Sequence, residues 1–250
     1  MTDRLYDDRD LVQFYDAENG WDESNDFCRN LAAEWASILD LGCGTGLLSA
    51  ALAKDGKDVV GVDRAGAMLD VARSRDGGAR VRWVEADARS VRLDRRFDLV
   101  VLTGHAFQAF LTPEDRAAVL RTIASHLAPT GRFAFDCRNP VAGEWREWTP
   151  ERSRRVFWHP CHGEVTAWND VTFDAGTAVA TYETHYRIVG GRIFSTRSRI
   201  AFPSRDEVSD AIGKAGLRAE RWLGDWFGAP WHPTAPEIIP IGRTGDPKSP

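Results

Sequence analysis

The 250-residue chain is short of several things, and each shortage removes a class of protein. It has four cysteines, Cys28, Cys43, Cys137 and Cys161, and no C-x-x-C pair. A disulfide framework is not indicated, and reduced thiols in a cytoplasmic protein are the expectation. Positive charge is not in excess: 32 Lys and Arg stand against 37 Asp and Glu, a net charge of −5. Such a chain lacks the electrostatic footprint of a general nucleic-acid binder. Arg152, Arg154 and Arg155 make only a small patch, which reads as a solvated face. No apolar run nears the length of a membrane span. The polar, acidic opening Met1-Thr-Asp-Arg-Leu-Tyr-Asp-Asp does not read as a secretory signal. There is no internal repeat and no low-complexity tract, and a chain of this size buries a substantial core.

What is present is a strand that runs into glycines. Residues 38–46 are Ile-Leu-Asp-Leu-Gly-Cys-Gly-Thr-Gly, with a helix-compatible stretch after them. Gly42, Gly44 and Gly46 allow the backbone to come close to a ligand. Strands are expected near 37–41, 57–62, 80–85, 97–102 and 131–136, alternating with helices near 45–54, 65–75 and 113–127. That alternation specifies a parallel sheet with right-handed crossovers. Ligands bind beyond the carboxyl ends of such strands. The candidates there are Gly42 to Gly46, Asp63, Asp87 with Ala88, Thr103 with His105, and Asp136 with Arg138 and Asn139. Asp63 lies about 20 residues past the glycines, where an acid can take both hydroxyls of a ribose.

Leu39-Asp-Leu-Gly-Cys-Gly-Thr-Gly46, Val60-Gly-Val-Asp63 with Met68-Leu69, Glu85-Ala-Asp87-Ala88, Phe97-Asp-Leu-Val100 and Leu127-Ala-Pro-Thr-Gly131 follow one another in order. Over residues 37–137 this resembles the class I S-adenosylmethionine (SAM)-dependent methyltransferases, although Thr130 stands where the family commonly has glycine. The resemblance implies an α/β fold, a Rossmann-like seven-stranded sheet whose last strand is antiparallel. It implies SAM as cofactor and S-adenosylhomocysteine as product. Backbone groups of Gly42 and Gly44 would hold the methionine moiety, Asp63 the ribose hydroxyls, and Met68, Asp87 and Ala88 the adenine. Tyr15 would close over the methionine end, unless it is simply a core aromatic of its helix. Asp40, Gly46, Arg64 and Thr103 complete the expected cofactor set. No metal is expected.

Outside these motifs the texture differs. Residues 9–35 read as two helical pieces broken near Asn19-Gly20, with Asp22 capping the second. Residues 153–202 alternate β-branched and aromatic residues, with a hairpin signal at Gly190-Gly191, and predict an antiparallel meander of three or four strands. A helix near 204–215 and strands at 217–223 and 237–241 follow. The expected organisation is a helical lid (1–36), a SAM-binding domain (37–140), a β insertion covering the acceptor (141–203), a helix with two strands completing the sheet (204–243), and a disordered tail (244–250). Ten tryptophans are many for this length. Most suit a packed core, and a few could wall a pocket. His159-Pro-Cys-His162 could suggest zinc, but three ligands within four residues cannot readily surround one ion.

These features favour a methyltransferase of a small organic acceptor, nitrogen somewhat ahead of oxygen, acting as monomer or homodimer without nucleic acid or membrane. His105 is the candidate base or positioning group. Arg138, Trp145, Trp226 and Trp231 are the candidate acceptor contacts. The run Thr103-Gly-His-Ala-Phe-Gln108 lacks the Asn/Asp-Pro-Pro-Tyr/Phe of base-modifying members and looks like the branch that methylates amino groups of sugars and simple amines. Alternatives are an RNA or tRNA-nucleoside methyltransferase and a non-catalytic SAM-binding protein. A nicotinamide dehydrogenase is disfavoured because Gly46 comes one residue early for its G-x-G-x-x-G.

Overall fold

The fold is given by a computed structural model that describes residues 3–245. In chain order the elements are α1 (Arg4–Asp7), α2 (Arg9–Val12), α3 (Tyr15–Glu18), α4 (Glu23–Leu31), β1 (Ser37–Leu41), α5 (Leu47–Lys54), β2 (Asp58–Asp63), α6 (Gly66–Ser74), β3 (Arg82–Glu85) and β4 (Phe97–Leu102). Then come α7 (Pro113–His126), β5 (Leu127–Phe135), β6 (Cys137–Arg138), β7 (Arg155–His159), β8 (Gly163–Asp174), β9 (Val179–Ile188), β10 (Ile193–Ala201), α8 (Arg205–Lys214), β11 (Leu217–Leu223) and β12 (Glu237–Thr244).

Seven strands form the main sheet in the order β11-β12-β5-β4-β1-β2-β3, and the two-residue β6 pairs with β12. Strands β1 to β5 are parallel, while β12 runs antiparallel to both neighbours. Both faces of the sheet are covered. Leu39, Leu41, Val60, Val62, Val100 and Leu102 pack on one side, and Ile38, Val59, Leu99 and Val101 on the other. This is why these strands read as unbroken apolar runs rather than as alternating ones. Because β12 is reversed, its first residue, Glu237, arrives at the sheet end where the parallel strands finish.

The inserted sheet, order β10-β9-β8-β7, is an antiparallel meander as expected. The N-terminal region departs from expectation. The break near Asn19-Gly20 is present, between α3 and α4, but the first piece is itself split into α2 and α3, and a further short helix, α1, precedes them; Asp3 and Asp8 start α1 and α2 by turning a side-chain oxygen onto a backbone N–H two residues ahead. Asp22 caps α4 with a full capping box to Asn25, as its sequence suggests. The segment lies between the two sheets: Leu5, Leu11 and Phe14 pack on Val165, Ala167, Tyr186 and Phe194 of the insertion, while Val12 packs on Met68. The His159–His162 cluster grips this segment. Both imidazoles lie against Phe14, and their Nε2 atoms bond Gln13, His159 to its carbonyl oxygen and His162 to its Oε1. The expected tail is also shorter at its start, since Thr244 pairs with Leu217 and the Gly245 N–H donates to the Gly216 carbonyl; residues 246–250 lie outside the described residues.

Gly42, Gly44 and Gly46 all have positive φ, but their surroundings differ. A Cβ at Gly44 would meet only the Tyr15 hydroxyl, at 4.0 Å, whereas one at Gly46 would lie 2.4 Å from the Trp83 ring and 2.8 Å from Ala72. Gly46 therefore serves close helix–strand packing, not approach to a ligand. Gly44→Ala is expected to cost about 1–2 kcal/mol for the left-handed conformation alone, and Gly46→Ala about 2–5 kcal/mol because overpacking is added. Urea unfolding of the two variants checks this; equal losses would disprove the packing role.

Candidate active site

The turn after β1 is built from backbone bonds. The N–H groups of Gly42 and Cys43 both donate to the Val62 carbonyl, at 2.7 and 3.0 Å. The Gly44 N–H donates to Asp63 Oδ2 at 2.8 Å, and Asp63 Oδ1 accepts from the Ala65 N–H at 2.8 Å. Asp40, on β1 directly before the turn, is 2% exposed and accepts from the Ser49 hydroxyl at 2.6 Å. Burial pushes its carboxyl up to about 6, with the Ser49 bond offsetting only part of that.

The turn opens onto a cavity of about 710 Å³. Gly42, Gly44, Asp40 and Thr103 form its sheet side. Tyr15 and Glu18 come from α3, Asn169, Tyr182, Thr184 and Tyr186 from the insertion, Arg138 from β6, and Trp148 and Trp226 from loops. At the sheet end of the cavity three groups converge. His105 Nε2 lies 2.9 Å from Glu237 Oε1 and 3.6 Å from Asp136 Oδ2. The His105 N–H donates to Asp136 Oδ1 at 3.1 Å, which holds a non-glycine residue at φ 59. Burial pulls the imidazole pKa down, but Asp136 and Glu237 outweigh it and Arg138 together, so it is raised above its ordinary value. Burial pushes the Asp136 carboxyl up to about 6, against the pull of His105. Ligand atoms of the three residues lie within 4.8 Å of one another. Among the described residues this is the place where a cation could be held.

A family model described as a methyltransferase domain matches residues 38–131. A dTDP-3-amino-3,4,6-trideoxy-alpha-D-glucopyranose N,N-dimethyltransferase of Streptomyces venezuelae is 30% identical over 211 residues, 78% of this chain and 81% of that protein. The chain belongs to the SAM-dependent methyltransferases. A cypemycin N-terminal methyltransferase of a Streptomyces species is 40% identical over 105 residues, but that match spans only 42% of this methyltransferase and 43% of the relative. The methyltransferase CcbJ of Streptomyces caelestis has the same fold, with a TM-score of 0.76 over 94% of this chain and 97% of that one at 20% identity.

Of the positions singled out in this methyltransferase's sequence, Tyr15, Asp40, Gly42, Gly44, Thr103, His105, Arg138 and Trp226 line the cavity. The others lie outside it, each for a visible reason. Asp63 is turned onto the Gly44 and Ala65 N–H groups. Met68 is 1% exposed and covered by Val12. Asp87 is paired with Arg89 at 2.6 Å, Arg64 is exposed, and Ala88 belongs to the core. Two of the tryptophan expectations are corrected. Trp145 stacks on Phe173 with 4.1 Å between ring centroids and plugs the base of the insertion; its neighbour Trp148 lines the cavity instead. Trp231 packs against the core with Arg205 over its ring. Its loop turns back on β11, the Trp231 N–H donating to the Trp222 carbonyl. Glu18, Glu237 and the β9 residues were not foreseen. The period-two run Tyr182, Thr184, Tyr186 carried a usable signal, and so did the reversed last strand, which must begin at the ligand end of the sheet.

Asp40 has a cost to folding. Its carboxyl sits near 6 in the folded chain against about 3.9 unfolded, so the folded state holds the extra proton between those values. Stability from this group therefore falls as pH rises from about 4 to 6 and stays lower above. Asp40→Asn has no such dependence. The stability of Asp40→Asn relative to wild type should improve by about 2–3 kcal/mol between pH 4 and pH 8. Denaturant unfolding at the two pH values measures it, and a constant difference would show that Asp40 titrates normally.

Proposed function

We propose that this methyltransferase transfers the methyl group of SAM to a nitrogen, in preference to an oxygen, of a small organic acceptor bound in the cavity. The observation that carries this reading is the His105–Glu237–Asp136 cluster beside the glycine turn, in a cavity walled by polar groups of the insertion. The turn suits the cofactor: the open space at Gly44 is what a ligand approaching the backbone requires. Gly42 and Gly44 would hold its methionine end under Tyr15, whereas Asp63 would take its ribose and Met68, Asp87 and Ala88 its adenine once the groups that now cover them, Val12 on Met68 and Arg89 on Asp87, move aside. When bound, SAM supplies a methyl group already activated by a positive sulfur.

The remaining work falls to the chain's own residues. An amine acceptor arrives mostly as an ammonium and reacts only in its neutral form. Asp136 and Glu237 give the cavity the sign that attracts such a cation. Its two guanidinium groups are already engaged, Arg138 with Glu144 and Arg155 with Glu18. Glu237 lines the cavity and holds the His105 ring through Oε1. His105, held by both carboxylates, takes the proton, and the raised pKa matches it to that task near neutral pH. Relatives are named for both N-terminal or N,N-dimethyl transfer and O-methyl transfer; the one of these four that spans most of this chain is the N,N-dimethyltransferase, which is what favours nitrogen. The same cluster could seat a divalent cation, but the reaction read here needs none, and chelator-dialysed enzyme should keep its rate.

Transfer of labelled methyl from SAM to a panel of amines and hydroxyl compounds tests the reading; turnover of hydroxyl compounds alone would reverse the preference. With the amine so found, kcat/KM should rise with pH through a pKa above 6.5. Glu237→Gln removes a charge that raises the His105 pKa, so the acid limb should move to lower pH. His105→Ala should lose about 10²- to 10⁴-fold in rate while S-adenosylhomocysteine affinity holds. An unmoved limb with full His105→Ala activity would remove the base assignment.

A further inference from the structure

The glycine turn is held, through Thr45 of the cavity lining, by a carboxylate that belongs to neither the cofactor set nor the acceptor set. Thr45 stands between Gly44 and Gly46, both in the left-handed region, and is 3% exposed. Its hydroxyl donates to Asp16 Oδ1 at 2.6 Å. The other oxygen of that carboxylate takes Arg75 Nη2 at 2.5 Å, and Arg75 Nε returns to the Thr45 carbonyl at 3.0 Å. Three residues from three distant parts of the chain thus close a ring around one peptide unit. Asp16 is also the second residue of α3, directly after Tyr15, and the Tyr15 hydroxyl lies 4.0 Å from the position of a Cβ on Gly44. One carboxylate therefore does two things at once. It adds a side-chain tie at Thr45 to a turn whose backbone is otherwise anchored at Val62 and Asp63, and it fixes the helix that places Tyr15 over that turn.

We propose that Asp16 is a positioning residue for cofactor binding, acting through Thr45 and Arg75 and making no contact with the cofactor itself. This rests on the reading that SAM binds at the glycine turn. A pre-ordered turn loses less freedom when the ligand arrives, and a cover tied to the turn must release before the ligand can leave. The loss of Asp16 should then appear as weaker binding and faster release, not as a failure of the chemical step.

The probe is S-adenosylhomocysteine, with affinity measured by calorimetry and release by stopped flow on the full chain. Asp16→Ala is expected to bind at least about tenfold more weakly and to release correspondingly faster. Thr45→Val should reproduce that effect and Thr45→Ser, which keeps the hydroxyl, should not. The Asp16→Ala/Thr45→Val double variant should be no weaker than either single one, since both remove the same link. Arg9→Ala breaks an exposed tie of the same N-terminal segment, to Asp70, and should bind as wild type. Should Asp16→Ala fail to fold, Asp16→Asn, which keeps an acceptor for Thr45 and loses the charge facing Arg75, decides with an expected loss of about threefold. Wild-type affinity in the Asp16 variants, or losses that add in the double variant, would overturn the proposal. A wild-type protein that does not bind the probe would instead overturn the cofactor reading beneath it.

Discussion

The site depends first on the Val62 carbonyl. By accepting from the Gly42 and Cys43 N–H groups together, it ties the end of β1 to the end of β2 and obliges the chain to turn sharply there. Asp63, the next residue, can then reach the Gly44 N–H, and the left-handed glycines follow from that geometry. With the turn placed, α5 begins where Ser49 can reach Asp40. The sheet end is thereby open for groups from β4, β5 and β12 to converge on the same space. A side-chain anchor could be lost by a single substitution. Two backbone donors on one carbonyl are indifferent to most changes in sequence, which suits a feature on which so much else is built.

The parallel core was legible because its strands are buried on both faces and carry unbroken apolar runs, with Asp40, Asp63 and Asp87 marking their ends. The insertion was legible from period-two alternation and from Gly190-Gly191. What escaped were contacts made by packing between distant segments. Gly46 looks like its two neighbours in sequence, yet it is required by the Trp83 ring. Trp231 shares its aromatic loop with Trp226, which lines the cavity, but the backbone bond to Trp222 turns it back. His159 and His162 resemble a ligand pair and are a socket for Phe14. In each case the residue type was informative and its partner was not, because the contact is fixed by how the elements pack, at separations from nine residues (Trp222 and Trp231) to well over a hundred (Phe14 and His159), and no local pattern encodes it.

Buried acids set the balance between stability and use. Asp40 and Asp136 are both almost fully enclosed and both pushed up to about 6. A chain selected for stability alone would place apolar groups there. Retaining two such carboxylates around one cavity is intelligible if the cavity receives positive charge, whether a sulfonium, an ammonium or the imidazolium of His105.

The walls of that cavity have a further consequence. Residues 38–131 supply the glycine turn, Thr103 and His105, whereas α3, the insertion strands β8 and β9, Trp226 and Glu237 all lie outside that stretch. Descent can therefore act on the two halves separately. Duplicated copies of the gene could diverge in the outer segments and acquire new acceptors while the inner hundred residues drift little. Similarity among such descendants would concentrate in the inner stretch and fade on either side.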